Sequence, residues 1–186
     1  MKLYPRSIKY LSIIIFTFIG FMFADIASAA SKEEIDIKVK GALENFQQEV
    51  SGGKEFLEQA EGILIFPDVV KAGFGIGGEI GDGALLIKEE TVDYYNTAAA
   101  SIGFQIGIQF KTVVLVFLKK DALDKFRDSS GWEVGVDGSV ALIELGAGID
   151  VNTINITEPI VGFVFSNKGL MYNLTLEGSK ITKLDK

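Results

Sequence analysis

The sequence predicts an α+β domain that is predominantly antiparallel β: a single curved or barrel-like sheet with N-terminal helices and one short internal helix. Three observations predict it. Residues 33–50 repeat their apolar positions at helical spacing. From Gly62 onward the period drops to two and stays there for most of the chain. Glycines recur on alternate positions between Gly73 and Gly83, which gives a strand one thin face that can bend or be approached closely.

The chain opens with Lys2, Arg6 and Lys9, an apolar run from Leu11 to Phe23, and Ala27-Ser28-Ala29. A positive start, a short apolar core and a small-x-small site form the pattern of a secretory signal peptide, cut before Ala30. The apolar run is short for a membrane-spanning helix, which needs about 20 residues. The expectation is therefore a signal at residues 1–29 and one exported domain at 30–186, helical over 30–60 and β-rich over 61–186. That domain is long enough to build its own core.

The chain carries 18 basic and 25 acidic residues, a net charge of −7. The leader holds three of the bases and one of the acids, so the rest stands at −9. This balance argues against nucleic acid as a partner. Without cysteine, neither a disulfide nor a cysteine-linked lipid can form. Without histidine, Ser-His-Asp and Cys-His catalysis are excluded and the commonest transition-metal ligand is missing. The reading is of a protein with no catalytic residues, metal or cofactor.

In order along the chain, Ser31 and Glu34 have capping-box spacing ahead of the first helix. Ile35, Val39, Ala42, Leu43, Phe46 and Val50 form its apolar stripe, and Gly52-Gly53 ends it. A short second helix follows at about 54–60, with Phe56 and Leu57 apolar. Ile63 to Phe66 is a strand stopped by Pro67. Gly81-Asp82-Gly83 reads as a turn and Ala84 to Lys88 as the strand that returns from it. Thr91 to Asn96 carries Tyr94 and Tyr95.

Ala98 to Phe110 alternates, with Ile102, Phe104, Ile106, Ile108 and Phe110 on one face. Lys111 reads as a turn before the apolar strand Val113 to Leu118. Asp121 to Arg127 reads as the internal helix, with Ala122, Leu123 and Phe126 inward. Trp132 to Ile149 is again interrupted by glycine. Val151 to Ile156, Ile160 to Phe165 and Gly169 to Leu176 read as further strands, the last two joined by a turn at Asn167-Lys168-Gly169.

The glycine-rich stretch is not a phosphate loop, since no Gly-Lys-Ser/Thr follows and no helix opens after it. Glu79, Asp82 and Asp68 are acidic turn positions whose separation nothing in the sequence fixes. Tyr94, Tyr95 and Trp132 suit core or edge sites whose polar ends reach water. A membrane-spanning barrel is disfavoured by continuously apolar strands, by the internal helix and by the ending Thr-Lys-Leu-Asp-Lys.

Several pieces recur together in the order and spacing of one family. They are Ala60-Glu61-Gly62-Ile63-Leu64-Ile65-Phe66-Pro67, Val70-Lys71-Ala72-Gly73-Phe74, and Gly77-Gly78-Glu79-Ile80-Gly81-Asp82-Gly83. Ala100-Ser101-Ile102-Gly103-Phe104-Gln105-Ile106-Gly107, the strand from Val113 to Leu118, Asp121-Ala122-Leu123-Asp124-Lys125-Phe126 and Gly146-Ala147-Gly148 complete the set. The region resembles the SYLF domain family, the Ysc84 actin-binding and SH3YL1-like lipid-binding domain, and within it the exported bacterial members.

The resemblance implies a non-enzymatic module that binds lipid or associates peripherally with a membrane. Its expected place is extracytoplasmic, in the periplasm, where actin is not a partner. Lys71, inside a matching motif, is the first candidate for a lipid headgroup, with Lys38, Lys40 and Lys54 of the helical part behind it. Ile35, Val39, Leu43 and Phe46 are the candidate contacts to acyl chains, because an amphipathic helix can lie in a membrane interface. The alternative is a structural or protein-interaction module of the cell envelope without lipid affinity, whose partner is an envelope protein.

Overall fold

A computed structural model describes residues 30–144, 157–168 and 178–186 of the chain. The expected signal at 1–29, the strands at 151–156 and 169–176 and the turn at Gly169 lie outside the described residues. Residues Lys32–Lys186 form a compact unit with its own core.

Two helices come first, α1 (Lys32–Glu49) and α2 (Gly53–Leu57). Then come two very long strands, β1 (Gly62–Ile87) and β2 (Glu90–Phe117). Helix α3 (Lys120–Asp128) follows, and four shorter strands complete the described chain: β3 (Trp132–Glu133), β4 (Val140–Glu144), β5 (Ile160–Lys168) and β6 (Lys180–Leu184).

The sheet is a half-barrel, mostly antiparallel, with the order β3-β6-β2-β5-β4 and β1 on the other edge of β2. Strand β2 is its spine. One edge pairs with β1 along nearly its whole length, from Ile87↔Glu90 to Gly62↔Phe117. The other edge takes β6 near its start (Tyr94↔Leu184) and β5 near its end (Phe117↔Ile160). Among the described strands, only β4 and β5 run parallel.

Two expected turns are corrected. Gly81-Asp82-Gly83 lies within β1, and Lys111 lies within β2. The real reversal is at Lys88-Glu89, both with positive φ (51° and 67°), a tight two-residue turn built without the usual Asn-Gly.

The β1–β2 hairpin is too long to lie flat and doubles over at its middle. The glycines of β1 permit this. A methyl group on Gly83 would sit 2.1 Å from the Ile65 carbonyl oxygen, and one on Gly81 would sit 3.0 Å from the Val69 Cα. Register shifts between Phe66 and Val69 and between Phe74 and Ile76 add local bending.

Doubling over brings the inner faces of the two legs together. Leu64, Phe66 and Leu115 of one leg and Leu85 and Tyr95 of the other share one core. Phe126 of α3 seals it, with ring centroids 4.9 Å from Tyr95, 5.0 Å from Phe117 and 5.6 Å from Trp132. The outer face of the leg that carries Val114 and Val116 is covered by α1 and α2. Their Phe46 and Phe56 meet Phe163 of β5 at 4.9 and 5.6 Å.

Candidate functional site at the folded-over end of the hairpin

Along β2 the two faces of the sheet change character. Outward positions read backwards as Val116, Val114, Thr112, Phe110 and Ile108, with exposures of 0, 0, 1, 43 and 61 %. The helical cover ends at Thr112, whose hydroxyl donates to the Pro67 carbonyl at 2.8 Å. Next along the strand, Phe110 and Ile108 are still apolar but exposed.

Inward positions read Phe117, Leu115, Val113, Lys111 and Gln109, all buried. Here burial persists while the side chains become polar. Strand β1 follows suit through its register. Val70 faces outward beside Phe110 and Ala72 beside Ile108, while Lys71 faces inward beside Gln109. On the other leg Ile80, 59 % exposed, pairs with the exposed Ala98, and Glu79 and Thr97 are buried.

The folded-over end is thus apolar outside and polar inside, whereas the other end of the same two strands is apolar on both faces. A soluble domain normally turns its apolar alternate positions inward. The reverse arrangement is the one strands adopt against lipid.

The polar interior is a connected network. Lys111 Nζ donates to Glu79 Oε2 at 2.8 Å, and the Ser179 hydroxyl donates to Glu79 Oε1 at 3.1 Å. The Lys111 side chain is fully buried and that of Glu79 nearly so. Burial pulls the Lys111 pKa below the ordinary lysine value; Glu79 opposes that shift and the charge of Lys71 adds to it. Lys71 is 4 % exposed, and among the described residues it makes no ion pair.

The residues singled out from the sequence fall in different places. Ile35, Val39 and Phe46 are buried, and Leu43 is half-buried. In this structure the stripe expected to meet acyl chains is committed to the core, because α1 packs against β1. Lys71 turns inward rather than presenting a surface cation. Lys38 is held by Glu34 at 2.7 Å and Asp68 at 3.4 Å, and its pKa is raised, most by the Glu34 hydrogen bond. Lys40 is exposed on α1. Lys54 and Leu43 do come together, beside a cleft of about 270 Å³ that Leu57, Ile63, Leu86 and Lys88 also line.

Tyr95 and Trp132 are core residues, and Tyr94 donates from its hydroxyl to Asp36 at 2.9 Å. Among the described residues no cluster of three acidic side chains could hold a metal ion. None of the described helices is long and apolar enough to cross a membrane, which leaves the strands unaddressed.

Sequence reasoning missed Lys111, Gln109, Ser179 and the outward trio Ile80, Ile108 and Phe110 as site residues. The signal was present in part: Gln109 and Lys111 hold one phase of the alternation that Ile108 and Phe110 hold on the other. Which phase faces inward is a tertiary property that a period of two leaves open.

Comparison with known proteins finds a family match over the C-terminal half of the chain. Residues 98–186 match the model of the Ysc84 family, described as a Las17-binding protein actin regulator. The SH3 domain-containing YSC84-like protein 1 of Rattus norvegicus and that of Mus musculus are each 26 % identical over 128 residues. The match covers 66 % of this chain and 37 % of each relative. The chain therefore spans little more than a third of the curated relatives it matches.

Proposed function

We propose that this protein is a non-enzymatic lipid-binding module that associates peripherally with a membrane through the folded-over end of its hairpin. The single observation that carries this reading is the inverted polarity there, with Ile80, Ile108 and Phe110 bare on the outside and Lys71, Glu79 and Lys111 buried within. Likeness to the SYLF and Ysc84 proteins supports a binding role over catalysis. The signal-like leader supports action outside the cytoplasm, in the periplasm, where actin is not available.

The mechanism is partition. Apolar side chains leave water for the bilayer interface, and the polar groups behind them keep their hydrogen bonds inside the sheet. The three exposed apolar side chains, not a basic surface, supply the driving force, which suits a chain with net charge −7. Helix α1 stays on the sheet during binding.

Flotation of residues 30–186 with phosphatidylcholine vesicles tests this, since that piece contains the whole described core. Binding that persists in neutral vesicles and at high salt is expected. No binding to any vesicle, together with capture of a defined envelope protein by the same face, would replace this reading with the interaction-module alternative.

A further inference from the structure

The two ends of the folded hairpin are held shut by different forces. At the base, Leu64, Phe66, Leu85, Tyr95, Val113 and Leu115 close on one another in a shared core. Among the described residues, no apolar side chain is buried between Val69 and Ala84 of β1 or between Tyr95 and Val113 of β2. The inner face there buries Lys71, Glu79, Thr97, Gln109 and Lys111, and Ser179 joins them just before β6. Parting the base would expose a core, whereas parting the folded-over end would expose groups that water solvates. Regions with few buried apolar contacts open at lower cost than the whole domain. A buried ion pair resists opening weakly, because hydration of the freed charges offsets much of their lost attraction.

The backbone allows such an opening. Gly81 on one leg lies against Val69 on the other, where an added methyl group would sit 3.0 Å from the Val69 Cα, so the legs touch there and can pivot. At the bend, Gly73 pairs with Gly107, whose φ is 138° and where an added methyl group would meet nothing within 4 Å. A register shift between Phe74 and Ile76 follows. Glycine on both strands lets the bend widen without steric cost. Across the gap, Glu79 accepts from Lys111 at 2.8 Å and from Ser179 at 3.1 Å.

We propose that the folded-over end is a gate over the polar interior, with Glu79 as its latch. Its two legs spread as a unit about the Gly81–Val69 contact while the apolar base stays closed. Water and small solutes reach the inner face in the open form and are shut out in the closed one. The gate is internal to the hairpin, so it stands whether or not the outer face meets a bilayer.

The experiment follows acetylation of the buried Lys111 amine in residues 30–186 by mass spectrometry, in urea below the unfolding transition. The reagent is N-hydroxysuccinimidyl acetate, and the exposed Lys40 is the reference amine. Lys111 is expected to react more slowly than Lys40, at a rate that stays level as urea rises, because the opening exposes little surface. The chain has no cysteine, so single thiols can report on the same motion. Gln109 and Val113 are both buried on the inner face, yet the Gln109→Cys protein should react with iodoacetamide about tenfold faster than the Val113→Cys protein. Replacing the latch by an apolar pair, Glu79→Leu with Lys111→Met, should slow labelling of the Gln109→Cys protein about tenfold, because the gate is then shut by apolar burial. A Lys111 rate that climbs with urea in step with unfolding, equal labelling at positions 109 and 113, or labelling that is unchanged or faster with the apolar latch would each overturn the proposal. The Lys111 measurement needs no substitution, so it decides the matter if a variant does not fold.

Discussion

Replacing Ile80, Ile108 and Phe110 together with serine should abolish vesicle binding and leave the fold intact. Moving a large apolar side chain from full exposure to full burial contributes about 1.5–3 kcal/mol. The three side chains are 59, 61 and 43 % exposed, so roughly half of that remains to be gained at each. The sum is about 4 kcal/mol, on the order of a 10³-fold change in partition.

Ile108→Ser alone is expected to cost roughly tenfold. Because these residues point away from the core, stability should fall by no more than about 1 kcal/mol, the span of strand propensity. The assay is flotation with phosphatidylcholine vesicles at physiological salt and at 1 M salt, with thermal unfolding as the control for folding. Apolar partition is little screened, so the parent should bind at both salts. A triple variant that folds and floats like the parent would refute the reasoning. So would parent binding that requires anionic lipid and disappears at 1 M salt.

Lys111→Met leaves Glu79 buried without its cation and should cost about 3–5 kcal/mol, whereas adding Glu79→Leu should recover most of it in chemical denaturation. The Tyr95 hydroxyl is buried and without a hydrogen-bond partner among the described residues, so Tyr95→Phe should be neutral or stabilising by about 1 kcal/mol. Burial also pushes the Tyr95 pKa up to about 12 from 10.0, with Asp93 adding to the shift. Stability from this group is complete below pH 10 and lost as pH rises through 12, so Tyr95→Phe should flatten the alkaline unfolding curve over that window. Gly83→Ala should destabilise by roughly 3 kcal/mol, because its methyl group would overlap the Ile65 carbonyl and force two packed strands apart.

The helices were legible because their signals are local. The stripe Ile35, Val39, Ala42, Phe46 is buried as its spacing implies, and α3 buries Leu123 and Phe126. The curved sheet was legible from period-two alternation and one-sided glycine, and Gly81 and Gly83 do admit the backbone of the opposite leg.

Strand ends were not legible. Gly81-Asp82-Gly83 has the composition of a turn, yet Asn96 ties it into the sheet by donating to the Gly81 carbonyl and to Asp82 at 3.2 and 2.8 Å. Lys111 looked like a break because a lysine among apolar residues usually marks solvent. Only the fold-over brings Glu79, 32 residues earlier in the chain, close enough to keep it inside. The apolar stripe of α1 was legible as a stripe, but a helical period cannot say whether it meets a membrane or Phe163.

The central claim is that the folded-over hairpin end, not the N-terminal helix, meets the bilayer. The chain has no cysteine, so one probe can be placed at one site. Ala100→Cys lies at the exposed hairpin end, and Ile37→Cys, 74 % exposed in the native residue, lies on the outer face of α1. Each would carry an environment-sensitive fluorophore and be mixed with vesicles containing a spin-labelled lipid quencher. A blue shift and quenching at position 100, with no change at position 37, is the expected result. Quenching at 37 with none at 100 would contradict the account and return the membrane contact to the helix.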